Sequence, residues 1–322
     1  MNSIIGMLLL CITASGVHAA VAAWQPQKNV EIVIGAQAAG AGDRTARLLQ
    51  KVLTETGAAR SITVVNRPGQ GQAAAVAYVN AHPADPHYLL ILGSSWVTAN
   101  ITTGTSSTHR DLAPVIKLLN GDLVMFVLAD SPFRSVRDIV DGVRKNIGGV
   151  SFGISTTAGN SLHIALAELA RLGGADPRKL RIVVNPSGSI TATQVAGGHV
   201  NVGVSSSGSA QPMVSTGKLG LLGTISSQRL PQLPDLPTLR EQGYDVVAST
   251  WYTVFAPKGT APIQVAYWEE AIGKAMRQPE ARNFVEQNNW TIELTGSKEL
   301  PVELDNEHAR LHAILSELGM AK

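Results

Sequence analysis

The chain has 322 residues, of which 44% are hydrophobic and 16% are charged, so it is long enough to bury one or two hydrophobic cores. Its formal net charge is only +2, and the Lys and Arg residues are scattered along the sequence, which argues against a nucleic-acid partner. Aromatic residues make up 5% of the chain, which also argues against a stacking surface for single-stranded nucleic acid.

The N-terminus has the layout of a secretory signal peptide. Residues 4–12 form an apolar run that is too short to span a bilayer, and Ala20-Val21-Ala22 fits an A-x-A cleavage site. We therefore expect residues 1–22 to be a signal peptide that is cleaved near Ala22, which predicts a periplasmic protein. Cys11 is the only cysteine and would be removed, so the mature chain could use no disulfide, thiolate nucleophile or cysteine-based zinc site.

From residue 29 onward, short β-branched runs alternate with helical patterns. The predicted strands are 30–34, 61–65, 89–92, 123–128, 150–154, 181–184, 200–204, 219–225 and 251–256. One predicted helix begins at Asp43, and others cover 73–81, 135–144 and 161–172. Two further helices are predicted to close the chain. This alternation predicts an α/β protein with mostly parallel sheets and helices on both faces.

Ligands of open α/β sheets bind beyond the carboxyl ends of the strands, where this chain has loops of small and polar residues. The first candidate loop contains Gln37, Ala39, Gly40, Ala41 and Asp43. Small residues let the backbone approach a ligand, and the following helix offers N–H groups to an anion. An ordinary turn with Asp43 as helix N-cap explains the loop equally well.

A second candidate loop contains Ser155, Thr156, Gly159, Asn160 and His163, for which plain helix capping is the alternative interpretation. Further neutral hydrogen-bonding residues follow other predicted strands: Ser94, Ser95, Gly188, Ser189 and Ser206. These loops supply almost no general acid, base or nucleophile, and no G-x-S-x-G elbow is present. The pattern therefore indicates a binding site without catalytic residues.

Two weaker motifs favour structural explanations. Residues 69–74 match G-x-G-x-x-A, but Asn66-Arg67-Pro68 separates them from the preceding strand, which favours a turn over a dinucleotide site. His308 and His312 stand four apart on a predicted helix, and a solvated face explains them better than a metal site. We expect no metal and no cofactor.

Several short stretches occur in an order and at spacings that resemble one protein family. They are 30–34 with the loop to Asp43, 64–69, 111–115, 158–160 with His163, 197–200, 233–238 with 241–243, and 251 with 255–259. From about residue 24 to residue 322, the chain resembles the extracytoplasmic receptors of tripartite tricarboxylate transporters, the Bug family. It departs from the family pattern at Gly35-Ala36, where Pro-Phe is usual, and at 186–189, where Tyr-Lys-Gly-Ser is usual.

The resemblance implies a two-lobed, type II-like Venus-flytrap fold with a ligand cleft between the lobes. The expected lobes are 24–124 plus 227–322, and 125–226. The implied function is a monomeric, non-enzymatic receptor that passes a small carboxylated molecule, such as a di- or tricarboxylate or an aromatic acid, to the permease subunits of a tripartite tricarboxylate transporter. The alternative is a signalling receptor that docks on a membrane sensor when loaded. Helix N-termini after the loops at 37–43 and 155–163 would hold the two ends of a dicarboxylate.

Overall fold

The structure is a computed structural model that describes residues 24–38, 41–105, 107–155, 157–288 and 290–322, without the side chains of residues 41 and 70. The strands are β1 Val30–Ile34, β2 Ile62–Asn66, β3 Tyr88–Gly93, β4 Leu112–Gly121, β5 Leu123–Leu128, β6 Ser151–Ser155, β7 Arg181–Asn185, β8 Val202–Ser206, β9 Leu219–Thr224, β10 Thr250–Pro257 and β11 Trp290–Gly296. The helices are α1 Ala41–Glu55, α2 Ala73–Asn80, α3 Ser95–Thr103, α4 Val136–Lys145, α5 Ser161–Leu172, α6 Gly188–Ala196, α7 Ser207–Val214, α8 Pro262–Ala275, α9 Pro279–Asn288 and α10 Leu300–Glu317. The predicted signal peptide and its cleavage point lie outside the described residues. Within the described ranges, no helix is long and apolar enough to cross a bilayer.

The strands form two mixed sheets. The first has the order β11-β4-β10-β3-β1-β2, in which β1 pairs parallel with β2 and β3 while β10 and β11 run antiparallel to their neighbours. The second has the order β7-β6-β8-β5-β9, in which β6 pairs parallel with β7 and β8 while β5 runs antiparallel to β8 and β9. The expectation of mostly parallel sheets is therefore wrong. The antiparallel pairs join strands that are mostly distant in sequence, and a local hydrophobic pattern does not reveal such pairing.

Helices cover both faces of the first sheet because its strand residues are apolar on both sides. Val30, Ile32 and Ile34 of β1 face a core that includes α1, α8 and α9, whereas Val33 faces a core that includes α2, α3 and α10. These four side chains are at most 1% exposed. Burial of each stabilises the fold by roughly 1.5–3 kcal/mol.

The chain passes between the sheets twice, at Asp122 between β4 and β5 and near Ser249 just before β10. Residues 227–248 pack with the second sheet, since Leu230 belongs to one of its cores and Leu239 and Val246 belong to the other. The expected return to the first lobe at residue 227 is therefore displaced to about residue 249. The Pro-rich sequence of residues 227–248 resembles a linker, but its buried leucines pack against the second sheet.

The C-terminal part differs from the expectation of two helices. It contains α8, α9 and α10, and β11 lies between the last two. β11 forms the edge of the first sheet against β4, with the Trp290 side chain only 7% exposed. This placement brings the start of β11 close to the space between the two sheets.

Candidate functional site

A cavity of about 500 Å³ lies between the two sheets. The first sheet and its helices contribute Arg44, Gly93, Ser94, Ser95, Thr250, Trp251, Tyr252, Gln287, Asn288 and Trp290. The second sheet and its helices contribute Leu123, Ser155, Asn160, Ser161, Leu162, Gly188, Ser189, Ser206, Gly208 and Ser209. A cavity that takes its walls from both sheets fits the cleft expected between two lobes.

Four helices begin at this cavity, because residues at the starts of α3, α5, α6 and α7 line it. Helix α1 contributes Arg44 from its first turn. Each helix N-terminus carries a partial positive charge from the aligned peptide dipoles, and each can direct backbone N–H groups at a ligand. Several such ends around one cavity create a positive potential that favours an anion.

The predicted site residues fall into three groups. Seven line the cavity: Ser94, Ser95, Ser155, Asn160, Gly188, Ser189 and Ser206. Four others, Gln37, Asp43, Gly159 and His163, lie in the described part of the chain but outside the cavity lining. Ala39, Gly40 and Thr156 lie outside the described residues, and Ala41 begins α1. The structure thus brings together the residues that follow β3, β6, β7 and β8.

Asp43 lies inside α1 and is not the N-cap of that helix. It is the third residue of α1 and is 2% exposed. Its carboxylate accepts hydrogen bonds from Asn66 Nδ2 and Arg47 Nε, both at 2.9 Å. Because Asn66 Nδ2 also donates to Ala36 O at 3.0 Å, this network fixes the chain between β1 and α1 against the end of β2.

Asn160 lines the cavity and also caps α5. Its Oδ1 accepts from the backbone N–H groups of Leu162 and His163, both at 3.1 Å, and its Nδ2 donates to Ser155 O at 2.6 Å. The His163 ring lies behind this cap, where Nδ1 accepts from Gly159 N at 3.0 Å. Burial lowers the pKa of His163, so its imidazole is neutral at pH 7. His163 therefore supports the loop from outside the cavity.

Gln72, which was not among the predicted site residues, positions one wall of the cavity. Its Oε1 accepts from Gly93 N at 3.0 Å, and its Nε2 donates to Ser95 Oγ at 2.9 Å. The neighbouring Gly71 has φ 61°, and a Cβ there would lie 2.3 Å from Ala99 Cβ. The G-x-G-x-x-A segment therefore packs tightly against α3, which supports the structural interpretation of this motif.

An aromatic wall was also missed by sequence reasoning. Tyr252 stacks on Trp290 with ring centroids 5.4 Å apart, and Phe284 contacts Trp290 edge-on at 5.9 Å. Trp251 also lines the cavity, but it packs in the core on the other face of the first sheet. Burial raises the pKa of Tyr252 to about 12, so the phenol is uncharged at neutral pH. The only available signal was Trp251-Tyr252 at the start of the predicted strand 251–256. The sequence did not show which residues of that strand would face a ligand.

Arg44 is the most consequential omission from the predicted site residues, because it lies in the first turn of α1 and lines the cavity. It is the only Arg, Lys, His, Asp or Glu among the described lining residues. Its Nη2 lies 3.4 Å from Asn288 Oδ1 at the end of α9. The cavity therefore combines one full positive charge with neutral hydrogen-bonding groups, and no acidic side chain was found along its described lining.

The described ranges contain no cluster of metal-ligating side chains, since no group of three or more His, Cys, Asp or Glu side chains could hold a metal ion there. His308 and His312 are ring neighbours on α10 with centroids 6.2 Å apart, and Ser316 Oγ lies 3.4 Å from His312 Nδ1. His308 is half-buried and His312 is exposed, so the pair lies along the surface of α10.

Two mixed α/β sheets joined by two chain crossings, with a polar cavity between them, define the two-lobed class of solute-binding receptors. The model of the tripartite tricarboxylate transporter family receptor matches residues 45–320. The chain belongs to this family of periplasmic receptors, which confirms the resemblance and the fold class predicted from the sequence. The family is a class of binding proteins and not a class of enzymes.

Individual relatives agree with this assignment. The chain is 30% identical over 286 residues to the UPF0065 protein in the tcbD-tcbE intergenic region of Pseudomonas sp. (strain P51), covering 87% of this chain and 83% of the relative. A solved TctC solute-binding protein from Polaromonas superposes with a TM-score of 0.78 at 23% identity, covering 91% of this chain and 99% of that one. MatC from Rhodopseudomonas palustris, solved with bound malate, superposes with a TM-score of 0.72 at 20% identity, covering 90% and 99%.

Proposed function

We propose that the protein captures a small carboxylated molecule in the periplasm and delivers it to the membrane subunits of a tripartite tricarboxylate transporter. The observation that carries this proposal is the electrostatic character of the cavity. Four helix N-termini and Arg44 from the first turn of α1 surround it, and its described lining contains no acidic side chain. A carboxylate bound there would receive charge-assisted hydrogen bonds, each contributing roughly 1.5–3 kcal/mol.

The malate-bound MatC supports a carboxylate ligand, because it places an organic acid in a protein of the same fold. The family assignment supports the transporter as partner. We further propose that the receptor acts as a monomer after removal of residues 1–22, with residues 24–122 plus 249–322 as one lobe and residues 123–248 as the other. N-terminal sequencing of periplasmic protein would locate the cleavage; a retained Met1 would contradict export with processing.

A thermal-shift screen tests the ligand class. Protein that has been unfolded, washed and refolded is mixed with mono-, di- and tricarboxylates, with aromatic acids, and with neutral sugars and amines as controls. A ligand that binds only the folded state at 100 times its Kd stabilises the protein by about 2.7 kcal/mol, which raises Tm by several degrees. We expect such a shift from acids alone. A shift from sugars or amines and from no carboxylate would refute the proposal.

A further inference from the structure

Tyr252 brings to the cavity a phenol hydroxyl that the fold itself does not use. The residue lines the cavity from β10 and is half-buried. Among the described residues, none forms a hydrogen bond with its Oη. This oxygen is also not one of the unpartnered side-chain atoms that are sealed from solvent, whereas Oγ1 of the next residue, Thr253, is one of them. The hydroxyl of Tyr252 is therefore accessible to a molecule in the cavity.

Three neighbours from the first lobe fix the position of the Tyr252 ring. Trp290 stacks on it with ring centroids 5.4 Å apart. Gly93 of β3 is its partner in the sheet, and a Cβ on Gly93 would lie 3.2 Å from Tyr252 Cε1. A Cβ on Gly42, in the first turn of α1, would lie 3.3 Å from the same atom. The ring thus fills the space beside two glycines and is held between the end of β3 and α1, so binding a ligand costs little side-chain entropy.

The surroundings of this hydroxyl favour a negatively charged partner. The positive charge of Arg44, in the first turn of α1, acts on the phenol of Tyr252. Burial nevertheless raises the pKa of Tyr252 to about 12, so the phenol keeps its hydrogen at neutral pH and can donate it. A carboxylate oxygen accepts such a hydrogen in a charge-assisted bond, which is stronger than a bond between two neutral groups. An ammonium group at the same place would instead be repelled by Arg44.

We propose that Tyr252 is a specificity-determining residue of the receptor, whose hydroxyl donates a hydrogen bond to a carboxylate of the ligand on the first-lobe side of the cavity. This inference rests on the proposed function and assigns one carboxylate contact to a side chain. Tyr252 contributes to selectivity because a ligand without an acceptor at this point leaves the phenol hydroxyl unpaired. Since the ring is fixed by the first lobe alone, acids of different length use the same contact.

Isothermal titration calorimetry of Tyr252→Phe tests this contact, because the substitution keeps the ring and removes only the hydroxyl. The probes are benzoate, malate, adipate and citrate. We expect each acid that binds the unaltered protein to bind Tyr252→Phe about tenfold more weakly. Tyr88→Phe is the matched control, because Tyr88 is half-buried on the same lobe, stacks on His82 and stands outside the cavity lining. It should leave acid binding within about twofold.

Ultraviolet difference spectra give a second readout, because a phenol that donates to a carboxylate absorbs at longer wavelength. We expect acid binding to shift tyrosine absorption to longer wavelength in the unaltered protein and in Tyr88→Phe, but not in Tyr252→Phe. Equal melting temperatures of the unliganded proteins show that each is folded. Acid affinities of Tyr252→Phe within twofold of the unaltered protein, or a shift that persists in this variant, would overturn the inference and leave the proposed function standing. Failure of all four acids to bind the unaltered protein would refute both.

Discussion

At the residue scale, Asn160 connects the stability of α5 with the shape of the cavity. Its side chain accepts from two backbone N–H groups of the helix and donates to Ser155 O, while the residue itself lines the cavity and is 7% exposed. Because Asn160 has both roles, its substitution changes the stability of α5 and the binding of a ligand at the same time. We expect loss of the cap to move the neighbouring lining residues Ser155 and Ser161 as well as to change the contact with a ligand.

We expect Asn160→Ala to lower the free energy of unfolding by about 1 kcal/mol, within the 0.5–2 kcal/mol that loss of an N-cap usually costs. Ligand binding should also weaken, because the first turn of α5 loses its fixed position. Urea unfolding measures the first effect. The control is Asn80→Ala at the exposed end of α2, which should change stability by less than about 0.5 kcal/mol. Equal stability of the two variants would show that the cap contributes nothing.

At the element scale, the first crossing between the sheets contains a buried carboxylate. Asp122 separates β4 from β5 and is 4% exposed. Its Oδ1 accepts from Ser226 Oγ at 3.2 Å on the second-lobe side, and its Oδ2 accepts from Thr291 Oγ1 of β11 at 3.3 Å. Burial raises its pKa to about 6, and these two hydrogen bonds only partly oppose that effect. The first crossing therefore holds a carboxylate whose ionised form destabilises the folded state.

The raised pKa of Asp122 determines how the free energy of unfolding changes with pH. Below about pH 4 Asp122 is protonated in both the folded and the unfolded chain, and above about pH 6 it is ionised in both. The folded state binds the proton more tightly, so the stability that Asp122 contributes falls as pH rises between these values, by roughly 3 kcal/mol. Asp122→Asn keeps two hydrogen-bonding atoms and removes the buried charge.

We therefore expect Asp122→Asn to melt at a higher temperature than the unaltered protein at pH 7.5, with the difference vanishing near pH 4. Differential scanning calorimetry across this range measures it. Asp141→Asn provides the control, because that side chain is 60% exposed and should show no comparable difference. A difference in melting temperature that is the same at all pH values would mean that the charge of Asp122 does not destabilise the folded protein.

Elements that are set by local sequence were predictable, and those that depend on distant contacts were not. Strand 123–128 and helix 161–172 were predicted with the bounds that the structure has, because an apolar run and a capped amphipathic pattern specify them. Helices α6 and α7 begin in Gly- and Ser-rich segments with low helix propensity and were interpreted as loops. Their packing on the second sheet stabilises them, and their serines reach the cavity for the same reason.

The candidate site was predictable to a similar extent. Residues that follow strands were expected to meet, and Ser94, Ser155, Gly188 and Ser206 do meet at one cavity. Trp290 and Asn288 come from the far end of the chain, and only the pairing of β11 with β4 brings them there. No local pattern could have indicated that position.

At the scale of the whole molecule, two kinds of contact join the lobes. The chain crosses between the two sheets at Asp122 and Ser249. Elsewhere α5 contacts α10, where Ile164 is fully buried and Arg310 Nη1 bonds to Glu168 Oε1 at 3.0 Å. Because the cavity takes its walls from both lobes, a ligand that bridges them favours a closed arrangement. Small-angle scattering should show a smaller radius of gyration at ligand saturation. An unchanged radius would contradict hinge closure.

Mass spectrometry of the small molecule released from natively purified protein tests the central claim most directly. Protein extracted from the periplasm without unfolding is washed, denatured and filtered, and the filtrate is compared with that of the Arg44→Gln variant prepared in the same way. We expect a stoichiometric organic acid of intact structure from the unaltered protein and much less of it from the variant. Recovery of a neutral sugar, an amine or a nucleotide in stoichiometric amount, equally from both proteins, would contradict the proposal that this chain is a carboxylate receptor.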